Sequence, residues 1–253
     1  MDKFMNENSR SKKLINVYNH LQDDESRMIY EFRSLYSLTD DKVYMRNIVR
    51  NSALSKCLIE CINVNKNKKL VLFGAGTWGK AITNYLDDIH WDYVIDNNKK
   101  GTQINGYSIS SLDDLQDKSS CFYVIALLFQ HESVKKQLID NGVELSNILV
   151  LGEIAEQKQY FDLPYLKFDE IDEILDGGEA TYIKMDIEGA EYEALLGAKN
   201  TIKKYKPKCA ISIYHKRCDI WEIPILLLSY NPDYKFYLRT YSFSGNDTVL
   251  YAL

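Results

Sequence analysis

Four ionisable residues late in the chain have types and spacing that could move a proton. Asp186, Glu188 and Glu191 fall in the block Tyr182-Ile-Lys-Met-Asp-Ile-Glu-Gly-Ala-Glu191, and His215 follows the apolar run Cys209 to Tyr214. Asp186 ends a predicted strand, and Glu188 and Glu191 straddle a helix start. If the two strands are neighbours, Asp186, Glu188 and His215 meet at one rim, where open α/β sheets bind their ligands. Two carboxylates beside a histidine could take a proton from a hydroxyl or hold a divalent metal. The same carboxylates are also favourable at a helix start with no chemistry at all. No residue is assigned to a metal.

A second motif is Gly74-Ala-Gly76-Thr-Trp-Gly79, a GxGxxG with Asp96 following 22 residues after its first glycine. It sits after a predicted strand and opens a predicted helix. Gly74, Gly76 and Gly79 would allow a tight turn, close approach of a pyrophosphate, and packing of helix on sheet. Asp96 suits a carboxylate that accepts hydrogen bonds from a ribose diol. Two readings stay open: a nucleotide or nucleotide-sugar phosphate site, or a turn of the same shape that binds nothing. Trp78 could stack on a base or sugar, or pack on the sheet.

The elements that must position these residues are read from apolar periodicity. Residues 1–66 read as helical, with Leu14, Val17, Tyr18 and Leu21 on one face. Strands are predicted at Lys69–Phe73, Trp91–Ile95, Phe122–Leu127 and Asn147–Leu151. Helices are predicted at Trp78–Asp88, Ser111–Gln116 and Glu132–Asn141. This alternation implies a parallel, Rossmann-like sheet. Further on, a short acidic helix is predicted at Phe168–Asp176 and strands at Thr181–Asp186 and Cys209–Tyr214. A long helix is predicted at Ala190–Tyr205 and another at Ile220–Ser229, with Pro224 in its first turn. A hairpin turning at Ser244-Gly245-Asn246 closes the chain.

The 253 residues are 45% hydrophobic and 26% charged, with 31 Lys and Arg against 36 Asp and Glu, a net charge of −5. A mildly acidic chain is poorly suited to nucleic acid, which needs basic surface. The longest apolar run, Cys121–Phe129, is far short of the roughly 20 residues of a spanning helix. No signal peptide is apparent, and the five cysteines read as reduced thiols. The expectation is therefore a cytoplasmic protein with no membrane span and no nucleic-acid partner. Whether it forms a homo-oligomer stays open.

Residues 179–252 resemble the C-terminal half of the FkbM-family S-adenosylmethionine-dependent methyltransferases. The resemblance rests on Ile183-Lys-Met-Asp-Ile-Glu-Gly-Ala-Glu191, Leu195-Leu-Gly-Ala198, Lys206-Pro207-Lys208, Ile211-Ser-Ile-Tyr-His215, Asp219-Ile-Trp-Glu-Ile-Pro224, Tyr237-Leu-Arg239 and Thr248-Val-Leu-Tyr251. Residues 14–152 look like the helical and Rossmann-like front part of longer members. The resemblance implies a class I methyltransferase fold and O-methylation, often of sugars in polysaccharide biosynthesis. It implies S-adenosylmethionine as cofactor and a small-molecule or glycan acceptor. It also places Asp186 by cofactor and acceptor, with Glu188, Glu191 and His215 near the acceptor hydroxyl. His215 is then the first choice of general base, with Asp186 and Glu188 beside it, and Glu191 a substrate-binding residue. Apart from the resemblance, Arg239 on the closing hairpin could steer an acidic acceptor or be a plain surface arginine.

One departure from the family pattern stands out. The chain runs from Tyr160-Phe-Asp-Leu-Pro164 almost directly to Phe168, without the glycine-rich donor loop such enzymes carry. Residues 153–253 are too few for seven strands and their helices, at about 30 residues per crossover unit. The expected organisation is α/β: a helical N-terminal segment (1–66), a Rossmann-like nucleotide-binding unit (67–152) and a truncated class I methyltransferase-like half with a C-terminal hairpin (153–253). Either the Gly74–Asp96 unit completes one fused sheet and stands in as the donor site, or the two sheets stay separate. The corresponding functions are an FkbM-type O-methyltransferase of a sugar or glycan-precursor hydroxyl, inactive if the donor segment is lost, and a non-catalytic nucleotide or nucleotide-sugar binding protein.

Overall fold

The computed structural model describes residues 7–156, 171–243 and 247–253. Four helices lead the chain, as the periodicity predicts: α1 (Glu7–His20), α2 (Asp24–Thr39), α3 (Lys42–Asn51) and α4 (Ala53–Val64). Three carry side-chain caps, Asp41 accepting from the Val43 backbone N–H at 2.9 Å at the start of α3. Asp23 accepts from the Ser26 backbone N–H at 2.7 Å, and Ser52 from that of Ser55 at 3.2 Å, satisfying donors that a helix start leaves open.

The chain divides into two compact units. One comprises residues 49–163 and 241–244; the other comprises residues 1–48, 164–240 and 245–253. Sequence reading sets divisions after residues 66 and 152 instead.

In the first of these units β1 (Lys69–Phe73), α5 (Thr77–Tyr85), β2 (Tyr93–Ile95), β3 (Gln103–Ile104), β4 (Tyr107–Ser110), β5 (Cys121–Ile125), α6 (His131–Asp140), β6 (Ile148–Val150) and α7 (Leu151–Glu156) follow in order. They build a six-stranded sheet, β3-β4-β2-β1-β5-β6, parallel except for β3. Strand order reverses at β1, so the loop after β1 lies at the switch point where such sheets bind ligands. The β3–β4 hairpin was not predicted. Its turn is Asn105-Gly106, with φ of 44° and 87°, the left-handed pair that Asn-Gly supplies at low cost. The predicted helix Ser111–Gln116 is only a 3₁₀ turn, Leu112–Asp114. Trp78 belongs to the core of this unit, edge-on to Phe243 at 5.5 Å between ring centres.

The other unit continues with α8 (Ile171–Leu175), β7 (Tyr182–Met185), α9 (Glu191–Leu196), α10 (Lys199–Tyr205), β8 (Lys208–Ser212), α11 (Asp219–Tyr230), β9 (Phe236–Thr240) and β10 (Thr248–Ala252). These strands form a second sheet, β7-β8-β10-β9; β7 and β8 are parallel, and β10 is antiparallel to both its neighbours. Strand β7 pairs with no strand of residues 69–151. The fused sheet, and with it the glycine loop as a stand-in within the methyltransferase sheet, is therefore excluded. Among the described residues β7 is an edge strand. The segment Pro164–Phe168 and the turn Ser244-Gly245-Asn246 lie outside the described residues.

Two further expectations are corrected. The long helix Ala190–Tyr205 is broken into α9 and α10 at Gly197-Ala198. Asp172 accounts for the break: its carboxylate accepts from the backbone N–H groups of Asn200 at 2.8 Å and Thr201 at 2.7 Å, capping a new helix start. Pro224 is not in the first turn of its helix, because α11 begins at Asp219.

The opposite edge, β9, is covered. Gln22 donates its backbone N–H to Phe236 O at 3.0 Å, and the Leu238 N–H donates to Ser26 Oγ at 2.8 Å. Arg239 pairs with Asp23 at 2.6 Å and Glu25 at 3.4 Å. Partial burial opposes the charge of Asp23. Hydrogen bonds from Arg239 and Ser26 outweigh it and bring this carboxyl down to about 2. A depressed carboxyl adds stability above its ordinary value of 3.8, which is lost as pH falls toward 2. Acid titration of unfolding between pH 4 and 2 should therefore show a shallower loss of stability in Asp23→Asn than in the parent. Glycine substitutions make a second test. A Cβ at Gly79 would stand 1.9 Å from Gly74 O, whereas one at Gly76 meets nothing within 4 Å. In denaturant unfolding Gly79→Ala should cost about 3 kcal/mol or more, and Gly76→Ala about 1 kcal/mol or less.

Candidate functional site

The parallel register of β7 on β8 sets Met185 against Ile211. The chain leaves both strands at the same rim, so Asp186 and His215 emerge side by side. His215 Nε2 stands 3.6 Å from Asp186 Oδ1 and 3.5 Å from Glu188 Oε2, and Nδ1 is 2.9 Å from Glu191 Oε1. The structure thus brings together Asp186, Glu188, Glu191 and His215.

Their environments differ. Glu188 projects into solvent and Asp186 is half-exposed, whereas the His215 side chain is only 10% exposed and Glu191 is fully buried. Glu191 Oε1 also accepts the Ile187 N–H at 2.9 Å, across the turn joining β7 to α9. That turn is tight: Glu188 has φ of 56° and Gly189 of 98°. A left-handed glutamate costs about 1–2 kcal/mol relative to ordinary backbone, and here it turns the Glu188 carboxylate toward the imidazole.

Sequence reading missed Tyr214. Its hydroxyl donates to Asp186 Oδ1 at 3.3 Å, and its ring lies 4.0 Å from that of His215. Burial and the nearby Asp186 push its phenol well above the usual range. Its place between the strand end and His215 was the available signal. From α2, Arg33 donates to Tyr214 O at 3.4 Å, and burial lowers its guanidinium to about 10. A cavity of about 200 Å³ beside His215 is lined by Arg33, Tyr36, Tyr214 and Lys216.

Arg239 does not join this cluster. It sits on β9, at the far edge of the sheet from β7, held by Asp23 and Glu25. The glycine loop belongs to the other sheet. There Asp96 spends both carboxylate oxygens on backbone, accepting from Ala75 N at 2.8 Å and Asn98 N at 2.9 Å. It latches the loop, where a ribose diol was expected. Lys99 Nζ donates to Ala75 O at 2.9 Å. Gly74 is left-handed with φ of 114°, and Gly76 starts α5 with open space on its Cβ side.

Residues 140–241 match the family model of the methyltransferase FkbM domain. The match begins earlier than the block from residue 179 that carries the resemblance by motif. A crystal structure of the methyltransferase FkbM from Methylobacillus flagellatus is similar at 23% identity and a TM-score of 0.44, covering 96% of this chain and 59% of that one. The chain thus spans about three-fifths of the length of the solved relative it matches. No curated protein matches it. No helix among the described residues is long and apolar enough to cross a membrane.

The strained turn separates stability from chemistry. Glu188→Gly removes the left-handed side chain and should leave the unfolding midpoint unchanged or slightly raised. Gly189→Ala should lower stability by about 1–2 kcal/mol. Paired denaturant curves check both.

Proposed function

We propose that this chain is a cytoplasmic S-adenosylmethionine-dependent O-methyltransferase acting on a hydroxyl of a sugar or glycan precursor, as in polysaccharide biosynthesis. The observation that carries this reading is the convergence of Asp186, Glu188 and Glu191 on one nearly buried imidazole, inside a domain of the matching family.

S-adenosylmethionine, when bound, supplies an electrophilic methyl group on a positively charged sulfur. Among the described residues no lysine or arginine forms an ion pair with Asp186, Glu188 or Glu191, and this uncompensated charge suits a sulfonium. His215 Nε2, the ring nitrogen beside Asp186 and Glu188, takes the proton of the acceptor hydroxyl. Glu191 touches the opposite ring nitrogen and is closed to solvent, so it orients His215 instead of binding substrate. Asp186, steadied by Tyr214, stabilises the imidazolium that forms.

A second reading, a nucleotide or nucleotide-sugar binding protein without catalysis, is favoured by the open approach to Gly76. Gly76→Val should then weaken nucleotide binding without unfolding the protein.

Removal of a general base typically costs 10²–10⁴-fold. Labelled methyl transfer to a panel of sugar acceptors should fall by about that factor in His215→Asn, with the fold unchanged by circular dichroism. Equal rates in parent and variant would remove His215 from the mechanism.

A further inference from the structure

A buried polar atom with no hydrogen bond is costly, and each one asks for an explanation. Three such atoms lie together at this rim. Glu191 Oε2, His215 Nδ1 and His215 Nε2 are buried with no hydrogen-bond partner among the described residues. His215 Nδ1 and Glu191 Oε1 are close enough to attract at 2.9 Å but are not aligned as a hydrogen bond. Around them stand groups that, in their basic forms, can only accept: Asp186 Oδ1, Glu188 Oε2 and an imidazole lone pair. Such a set calls for a positive or donating occupant.

Its spacing is that of metal ligands. One ligand atom from each of Asp186, Glu191 and His215 can be chosen so that all lie within 4.8 Å of one another; Glu188 is outside that set and joins the site through its own 3.5 Å approach to His215 Nε2. Bonds of about 2.0–2.2 Å in a tetrahedral site set neighbouring ligand atoms about 3.3–3.5 Å apart. His215 Nε2 lies 3.6 Å from Asp186 Oδ1 and 3.5 Å from Glu188 Oε2. Glu191 behind Nδ1 occupies the place of the carboxylate that commonly backs a metal-bound histidine. A comparable group elsewhere, His131 with Glu132 and Glu153, is served differently. There Lys135 Nζ lies 2.5 Å from Glu153 and 3.9 Å from Glu132, so an ammonium already supplies the positive charge.

We propose that Asp186, Glu188 and His215 form a binding site for one divalent cation of the zinc, cobalt or manganese class, with Glu191 orienting the histidine. A nitrogen donor beside carboxylates favours these ions over magnesium or calcium. The inference goes beyond methyl transfer and holds whether or not the chain is active. Cation and proton exclude each other at Nε2, so methyl transfer through His215 belongs to the cation-free state.

The test is a titration of the untagged full chain with Co²⁺, read by visible absorption and by calorimetry, followed by displacement with Zn²⁺. The expected result is saturable one-to-one binding with absorption bands of nitrogen–oxygen coordination. Affinity should fall at least tenfold in Asp186→Asn, a half-exposed position whose change leaves the core intact, and about 10–100-fold in Glu191→Gln. No saturable binding at millimolar Co²⁺, or unchanged affinity in both Asp186→Asn and His215→Asn, would overturn the site. Cobalt binding without S-adenosylmethionine binding would uphold this proposal and sink the methyltransferase reading; the converse result would do the opposite.

Discussion

The contact between Glu191 and His215 takes a carboxylate wholly out of water and sets it 2.9 Å from an imidazole. Burying an unpaired carboxylate costs several kcal/mol, so the arrangement holds only if positive charge or a proton is close by. Much of the surrounding structure serves this contact. The parallel pairing of β7 with β8 brings the two strand ends to one rim. The tight turn at Glu188-Gly189 directs α9 so that Glu191 points inward. Tyr214 braces Asp186 on the other side. The site is therefore a property of two adjacent strand ends and one turn.

The four-stranded sheet manages its two edges differently. Edge strands expose unpaired backbone groups and are a liability unless covered. At β9 the α1–α2 connection and the first turn of α2 supply the cover: Gln22 and Ser26 meet the edge backbone, and Arg239 ties to Asp23 and Glu25. Among the described residues β7 has no strand on its outer side. That is the side on which, by family resemblance, the remaining strands of a class I methyltransferase sheet would lie.

What the sequence made legible was local. Strand runs bounded by Gly74, Asp186 and Pro207 could be read, and the meeting of Asp186, Glu188 and His215 followed from two strands being neighbours. What it hid depended on partners far along the chain. Nothing in Ala190–Tyr205 shows that Asp172, 28 residues before Asn200, caps a second helix there. Arg239 looked free to meet a substrate because its partner Asp23 lies 216 residues away. Asp96 fitted a ribose because its nearer claimants, the amides of Ala75 and Asn98, appear only once the loop is folded. The Asn105-Gly106 hairpin went unread because strands of two and four residues carry too little apolar pattern, although the turn pair itself was a usable signal.

The central claim is that a chain with this four-stranded sheet still uses S-adenosylmethionine. Calorimetric titration of this 253-residue chain with S-adenosylmethionine tests it most directly. The account predicts saturable one-to-one heat with a matching rise in thermal unfolding midpoint. Absence of both heat and thermal shift at millimolar cofactor would contradict it.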